Sequence, residues 1–153
     1  MDKTVTTHKF AILAPVPEEH LLSWQKDGQE TKVAFGSMAF ELFRQADELR
    51  GEKAVEVFIY ADLAENRPLN SEVSWHGFYV GHINSRSGRH PQGMKYRPPC
   101  TANDKPIWAI YWEVEELKSL SSPIAIASLK GLGKKSNYPS RFMPEAPLLI
   151  EYP

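Results

Sequence analysis

Val73-Ser74-Trp75-His76-Gly77-Phe78-Tyr79-Val80-Gly81-His82-Ile83 reads as one long strand. Alternation places Trp75, Gly77, Tyr79 and Gly81 on one side and His76, Phe78, Val80 and His82 on the other. Glycine within a strand marks a bulge, a bend or the close approach of another backbone. A second aromatic run, Ile107–Val114, puts Trp108, Ile110, Trp112 and Val114 on one face and Ile107, Ala109, Tyr111 and Glu113 on the other. The segment between them, 84–100, holds Arg86, Arg89, Lys95 and Arg97, no acid, two Gly and three Pro. Two strands would hold such a cationic loop at the rim of a sheet, beside exposed tryptophans.

Outward from this pair, the remaining elements follow from spacing. Lys9–Ala14 is a short apolar strand stopped by Pro15 and Pro17. Pro17, Glu18 and Glu19 suit the first turn of a short helix, with Leu21, Leu22 and Trp24 facing inward and Lys26-Asp27-Gly28 ending it. Val33–Ser37 reads as a strand and turn. Ser37 is then the expected N-cap of a helix from Met38, whose face is Ala39, Leu42, Phe43, Ala46 and Leu49 and whose stop is Gly51. Ala54–Ala61 alternates as a strand, with Val55, Val57 and Ile59 on one side. Glu115–Leu120 is expected as a helical turn, Pro123–Ala127 as a short strand and Leu148–Ile150 as the last strand.

About six strands and two helices, without regular βαβ alternation, indicate an α+β fold with a curled, mostly antiparallel or mixed sheet. A sheet of this size that curls tends towards a small barrel flanked by helices. The chain of 153 residues is expected to form a single domain over 1–153. A single cysteine, Cys100, excludes an internal disulfide and fits a reducing compartment. No apolar run approaches the ~20 residues of a membrane span, and Met1–His8 lacks the order of a secretion signal. Cytoplasmic residence without membrane attachment is therefore expected.

Net charge is −1, but its distribution is uneven. Residues 1–84 carry −5, residues 85–141 carry +6 and residues 142–153 carry −2. Such separation creates a local positive field unless the blocks intermix in space.

Two basic segments stand out: Arg86, Arg89, Lys95 and Arg97 in the first, and Lys134, Lys135 and Arg141, among glycines, in the second. Arginine grips phosphate through a planar fork and stacks on bases, while Trp and Tyr offer stacking faces. The competing reading is a solvated hairpin loop, with Trp75 in the core. The second segment matches neither a P-loop nor a dinucleotide fingerprint, and no cofactor is expected. His76, His82, His90 and Cys100 lack the spacing of zinc ligands, so no metal is expected. Cys100 with a histidine, or Ser37 at a helix start, could be written as a nucleophile, but no local signature supports either. The acidic Glu113-Val114-Glu115-Glu116 run reads as a solvated strand end.

The order of these pieces resembles the PUA-like superfamily, especially its EVE and ASCH branches. The resemblance rests on the VSWHGFYVGHI strand (73–83), the loop bearing proline and arginine, the WAIYWEVEEL strand (108–117), the PIAIASLKGL segment (123–132) and the Phe142-to-Tyr152 close. It covers roughly residues 8–152 and is one of layout rather than motif. It implies a small curled β-barrel with helices, binding RNA or DNA, in some members with a modified base in an aromatic cage. By position it places Ser37 near the pocket and Trp75, Tyr111 and Trp112 on the cage wall. Some ASCH members hydrolyse modified nucleosides or RNA.

The leading expectation is a non-enzymatic binder of nucleic acid, nucleotide or modified base, as a monomer or weak homodimer. A small hydrolase and a protein-interaction module are the alternatives.

Overall fold

The computed structural model describes residues 5–63 and 70–153, and Met1–Thr4 of the N-terminal segment lie outside them. The elements are β1 (Ala11–Pro17), α1 (Glu18–Asp27), β2 (Lys32–Ser37), α2 (Phe40–Arg50), β3 (Val55–Asp62), β4 (Glu72–Asn84), β5 (Ile110–Ala125) and β6 (Leu148–Ile150), with short 3-10 turns at Pro99–Thr101 and Ile126–Ser128. The fold is α+β. All six strands form one mixed sheet in the order β2-β5-β4-β3-β1-β6. β1 and β3 run parallel, and the other neighbours are antiparallel. The parallel pair requires a crossover, which α1, β2 and α2 provide.

Alternation builds two apolar layers. Ile12, Ala14, Val57, Ile59, Trp75, Tyr79, Trp112 and Val114 point to the inner face, where Phe43 and Ala46 of α2 and Leu21 of α1 cover them. Ala11, Leu13, Phe58 and Tyr60 point the other way, beneath Ile126, Leu129 and the 138–152 segment. β2 and β6 stay unpaired to each other, so the sheet is not closed into a barrel. It curls nonetheless: Phe35–Ala39 at one margin and Glu145–Pro147 beside the other line a common cavity.

Three register shifts between β4 and β5 drive the curl, because each bulge bends its strand. One of them revises the expected sidedness of β4. Tyr79 pairs with Val114 and Gly81 with Glu113, so Val80 is the extra residue. Beyond it the alternation inverts, and His82 joins Tyr79 on the inner face. Its Nδ1 lies 2.8 Å from Asp47 Oδ2 and 3.1 Å from the Tyr79 hydroxyl. That hydroxyl donates to Asp47 Oδ1 at 2.9 Å. Burial and the Asp47 charge push the Tyr79 phenol far above its ordinary value, so it stays a neutral donor.

Other expectations are corrected by tertiary pairing. Glu115–Leu120 is not helical; the 16-residue β5 runs through it, with Glu116 at φ 53 in a bulge. The ladder to β4 satisfies its backbone, which overrides weak local preference. Of the short strand expected at Pro123–Ala127, Pro123–Ala125 is the end of β5 and Ile126–Ala127 opens a 3-10 turn; Pro123 falls in the widest irregularity, where its missing N–H costs no ladder bond. α2 begins two residues later than expected. Ser37 Oγ accepts the Ala39 N–H at 3.0 Å and makes a local turn instead of a helix cap. Leu22 and Leu49 are exposed, although both were expected to face inward. Gly51, at φ 61, does terminate α2. Among the described residues no helix is long and apolar enough to cross a membrane.

Candidate functional site

Gly36 is the smallest residue of β2, and its lack of a side chain has a specific use. A Cβ there would sit 2.2 Å from the Trp108 ring, so the indole lies directly against the strand. Trp108 is 37 % exposed. Four residues later, Trp112 points from β5 towards the inner face and is sealed by Phe35 and Phe43, with ring centroids 5.0 and 5.4 Å away. Trp108, Trp112 and Phe35 form one side of a cavity of about 290 Å³. Pro15–Pro17 and the Glu145–Pro147 segment form the other.

Its polar groups are few: Ser37, His20, Arg97 and Glu145. The Ser37 oxygen already accepts a backbone N–H, which leaves its proton free to donate. Burial, then the Arg97 charge, hold the His20 imidazole below its ordinary value, while Glu19 and Asp104 oppose this. A mostly apolar cleft with a few convergent polar groups has the character of a small-ligand site.

The loop between β4 and β5 is not a free cationic arm. It folds onto the outer face of β5 and along the edge of β2. Tyr96 accepts the Ala34 N–H through its carbonyl, and Arg97 donates to the Ala34 carbonyl, both at 2.7 Å. The Arg97 guanidinium also lies 4.9 Å over the Tyr111 ring. Tyr111 donates to the Gly88 carbonyl at 2.7 Å. His90 fills the space between Tyr96 and Tyr111, its Nδ1 accepting the Gln92 N–H. Burial lowers its imidazole against the pull of Glu113, which faces Nε2 at 3.5 Å and is itself paired with Lys32.

The expected site residues therefore separate. Ser37 and Trp112 share the cavity. Tyr111 does not join them, because neighbours on a strand point to opposite faces; it is fully buried beneath the loop. Trp75, 5 % exposed, is a core residue, so the reading of the loop's indole neighbour as core is the one the structure adopts. Arg97 is buried and braces the loop, whereas Arg86, Arg89 and Lys95 are exposed on it. Lys134, Lys135 and Arg141 are exposed on a segment docked along β6, through Leu132 N to Leu149 O and Glu151 N to Lys130 O. The two basic segments thus attach to opposite ends of the strand order. Trp108, Phe35 and His20 complete the cavity and were missed as site residues. A signal for Trp108 existed: it shares the parity of Trp112, and β2 ends in Gly36-Ser37.

The two lowered histidines make stability depend on pH. The unfolded chain takes up protons as pH falls through 6.5, the folded chain only at lower pH. Their contribution is therefore full above that value and declines as pH drops from it towards the folded values. The urea midpoint should be lower at about pH 5.5 than at about pH 8. His90→Gln should reduce that difference; an unchanged pH dependence would contradict the burial described for His90.

Among the described residues, no group of three or more His, Cys, Asp or Glu could hold a metal ion. No protein-family description matches the chain, and no curated protein matches it.

Proposed function

We propose that this protein binds a planar heterocycle, a nucleobase within a nucleotide or nucleic-acid strand, in the cavity walled by Trp108, Trp112 and Phe35. The observation that carries this reading is the partly exposed Trp108 indole packed against Gly36 beside a mostly apolar cleft. An indole held in one orientation loses little freedom on stacking, and a base stacked on an aromatic gains about 1–3 kcal/mol. Ser37 and His20 supply the hydrogen-bonding edge. Met38, Phe40 and Ile107 are exposed near or next to this wall and offer apolar surface to neighbouring bases. Arg86, Arg89 and Lys95 are the backbone phosphate contacts on this reading. Lys134, Lys135 and Arg141 lie along β6 and would serve only a longer strand. The PUA-like superfamily is the fold family proposed with it, on the layout of its elements.

The test is fluorescence titration with nucleosides, nucleotides and short DNA and RNA at about 50 mM salt. Saturable quenching is expected, and Trp108→Ala should weaken binding by roughly 5- to 150-fold, the equivalent of one lost stack. Gly36→Ala should displace the indole and weaken binding in the same direction, with the fold intact. Absence of saturable binding by any of these ligands would end the reading. Turnover of acylated or methylated nucleosides, abolished by Ser37→Ala, would assign the hydrolytic alternative instead, since Ser37 and His20 share the cavity.

A further inference from the structure

A second, smaller cavity lies under the β4–β5 loop. It measures about 100 Å³ and is lined by Arg89, His90, Arg97, Thr101, Asp104 and Tyr111, among others. That volume holds several waters or one tetrahedral oxyanion.

The charges around it are unbalanced. Arg97 is 6 % exposed, and among the described residues its guanidinium makes one hydrogen bond, to a backbone carbonyl. Guanidinium carries five donors, so most of its fork is uncommitted. Among the described residues Arg97 forms no ion pair with a carboxylate. Asp104 is the one acid on the cavity wall; it acts on Arg97 through its field rather than by contact. An unpaired buried cation is costly, and the usual remedy is a bound counter-charge.

His90 adds a donor. Its side chain is fully buried. Nδ1 accepts the Gln92 N–H, so in the neutral ring Nε2 carries the proton. That Nε2 makes no well-formed hydrogen bond, with the Glu113 carboxylate facing it at 3.5 Å. Arg89, exposed at the end of a tight turn, supplies a second guanidinium. The remaining hydroxyls are committed as donors, Thr101 to Pro98 O and Tyr111 to Gly88 O.

We infer that this cavity is an oxyanion site, taking phosphate or a phosphate monoester between the Arg89 and Arg97 guanidinium groups. The site does not rest on a base entering the larger cavity. Arg97 borders both cavities, whereas Arg89 borders the smaller and Trp108 the larger. The two readings therefore fail separately.

The experiment is thermal unfolding of the full chain with potassium phosphate, against potassium chloride at matched ionic strength, together with imidazole-detected NMR. Phosphate should raise Tm progressively, with the logarithm of its concentration above Kd, because a ligand that binds only the folded state stabilises it by mass action. It should shift the His90 ring resonances and leave those of His76, which pairs with Glu56 elsewhere, unmoved. Arg89→Gln lies on the surface and should keep the fold while weakening phosphate at least ten-fold. Arg97→Lys keeps the charge without the planar fork and should weaken it similarly. Trp108→Ala should leave the phosphate response intact. A Tm rise equal in chloride, a His90 resonance shift that does not saturate with phosphate, or full response in both arginine variants would overturn the site.

Discussion

Trp112→Ala should lower folding stability by about 3–5 kcal/mol, the range for truncating a buried aromatic. The indole is 2 % exposed and lies at the meeting point of β5, β2 and α2. It is stacked on Phe43, with planes 19° apart, and tilted against Phe35. Removing it opens a void that rigid neighbours cannot fill. α2 is the element with most to lose, since Phe43 and Ala46 are its buried anchors. Urea denaturation is the direct measurement. Trp112→Phe should recover much of the loss, because the ring–ring contacts partly survive. Trp108→Ala is the matched control: its indole is partly in solvent and against a backbone that tolerates its absence, so the stability cost should be far smaller. A loss under about 1.5 kcal/mol for Trp112→Ala would mean that α2 does not pack on the sheet in this way.

Gly88→Ala is the second large expected effect, and its cause is backbone rather than core. Arg86 and Arg89 exchange backbone hydrogen bonds of 2.7 and 3.1 Å across Ser87 and Gly88. Both central residues have positive φ, 52° and 84°, the signature of a type I′ turn. Serine already bears one left-handed position, so the turn depends on glycine for the other. A Cβ at Gly88 would also stand 2.3 Å from the Pro106 carbonyl oxygen and 2.9 Å from Ile107 Cα. Neither is a side-chain tip that can swing aside. The left-handed penalty of about 1–2 kcal/mol adds to an overpacking cost of about 1–3 kcal/mol, giving roughly 2–5 kcal/mol. The damage should spread in a defined direction. Gly88 O accepts the Tyr111 hydroxyl, and Pro106–Ile107 leads directly into Trp108. Loss of stability should therefore come with weaker ligand quenching and a weaker phosphate response. Ser87→Gly should be near neutral or slightly stabilising. A Gly88→Ala protein as stable as the wild type would show that the loop is not seated on the 106–107 backbone.

These two positions also mark how far the amino-acid order could be read. Trp112 was legible as one of a row with Ile110 and Val114, because strand parity is a local property of covalent geometry. Its place on a pocket wall was an expectation of the family resemblance, not of periodicity. Gly88 was visible only as part of a glycine- and proline-bearing loop. That its turn is clamped by residues 18 and 19 positions later depends on the path of 89–106, which no periodicity encodes.

Arg97 shows the same limit in charge. In the sequence it is one of four equivalent cations; in the fold it is buried under Ala34 and Tyr111, while Arg86, Arg89 and Lys95 stay in solvent. Burial depends on which face the loop covers. His82 shows it for alternation, since a single bulge residue, Val80, inverts every later side chain of β4.

Residue order alone indicated the α+β class, the cores of the strands that form the sheet, both helices and the Gly51 stop, because apolar periodicity and glycine conformation act over a few neighbouring residues. Tertiary pairing decided the rest. It extended β5 through a segment with helical leanings, set the loop's cations in different environments and separated the two basic segments along the strand order. It also brought Trp108, Ser37 and His20 to one cleft. Those outcomes depend on long-range register and on the cost of burying charge, and neither exists until the sheet has formed.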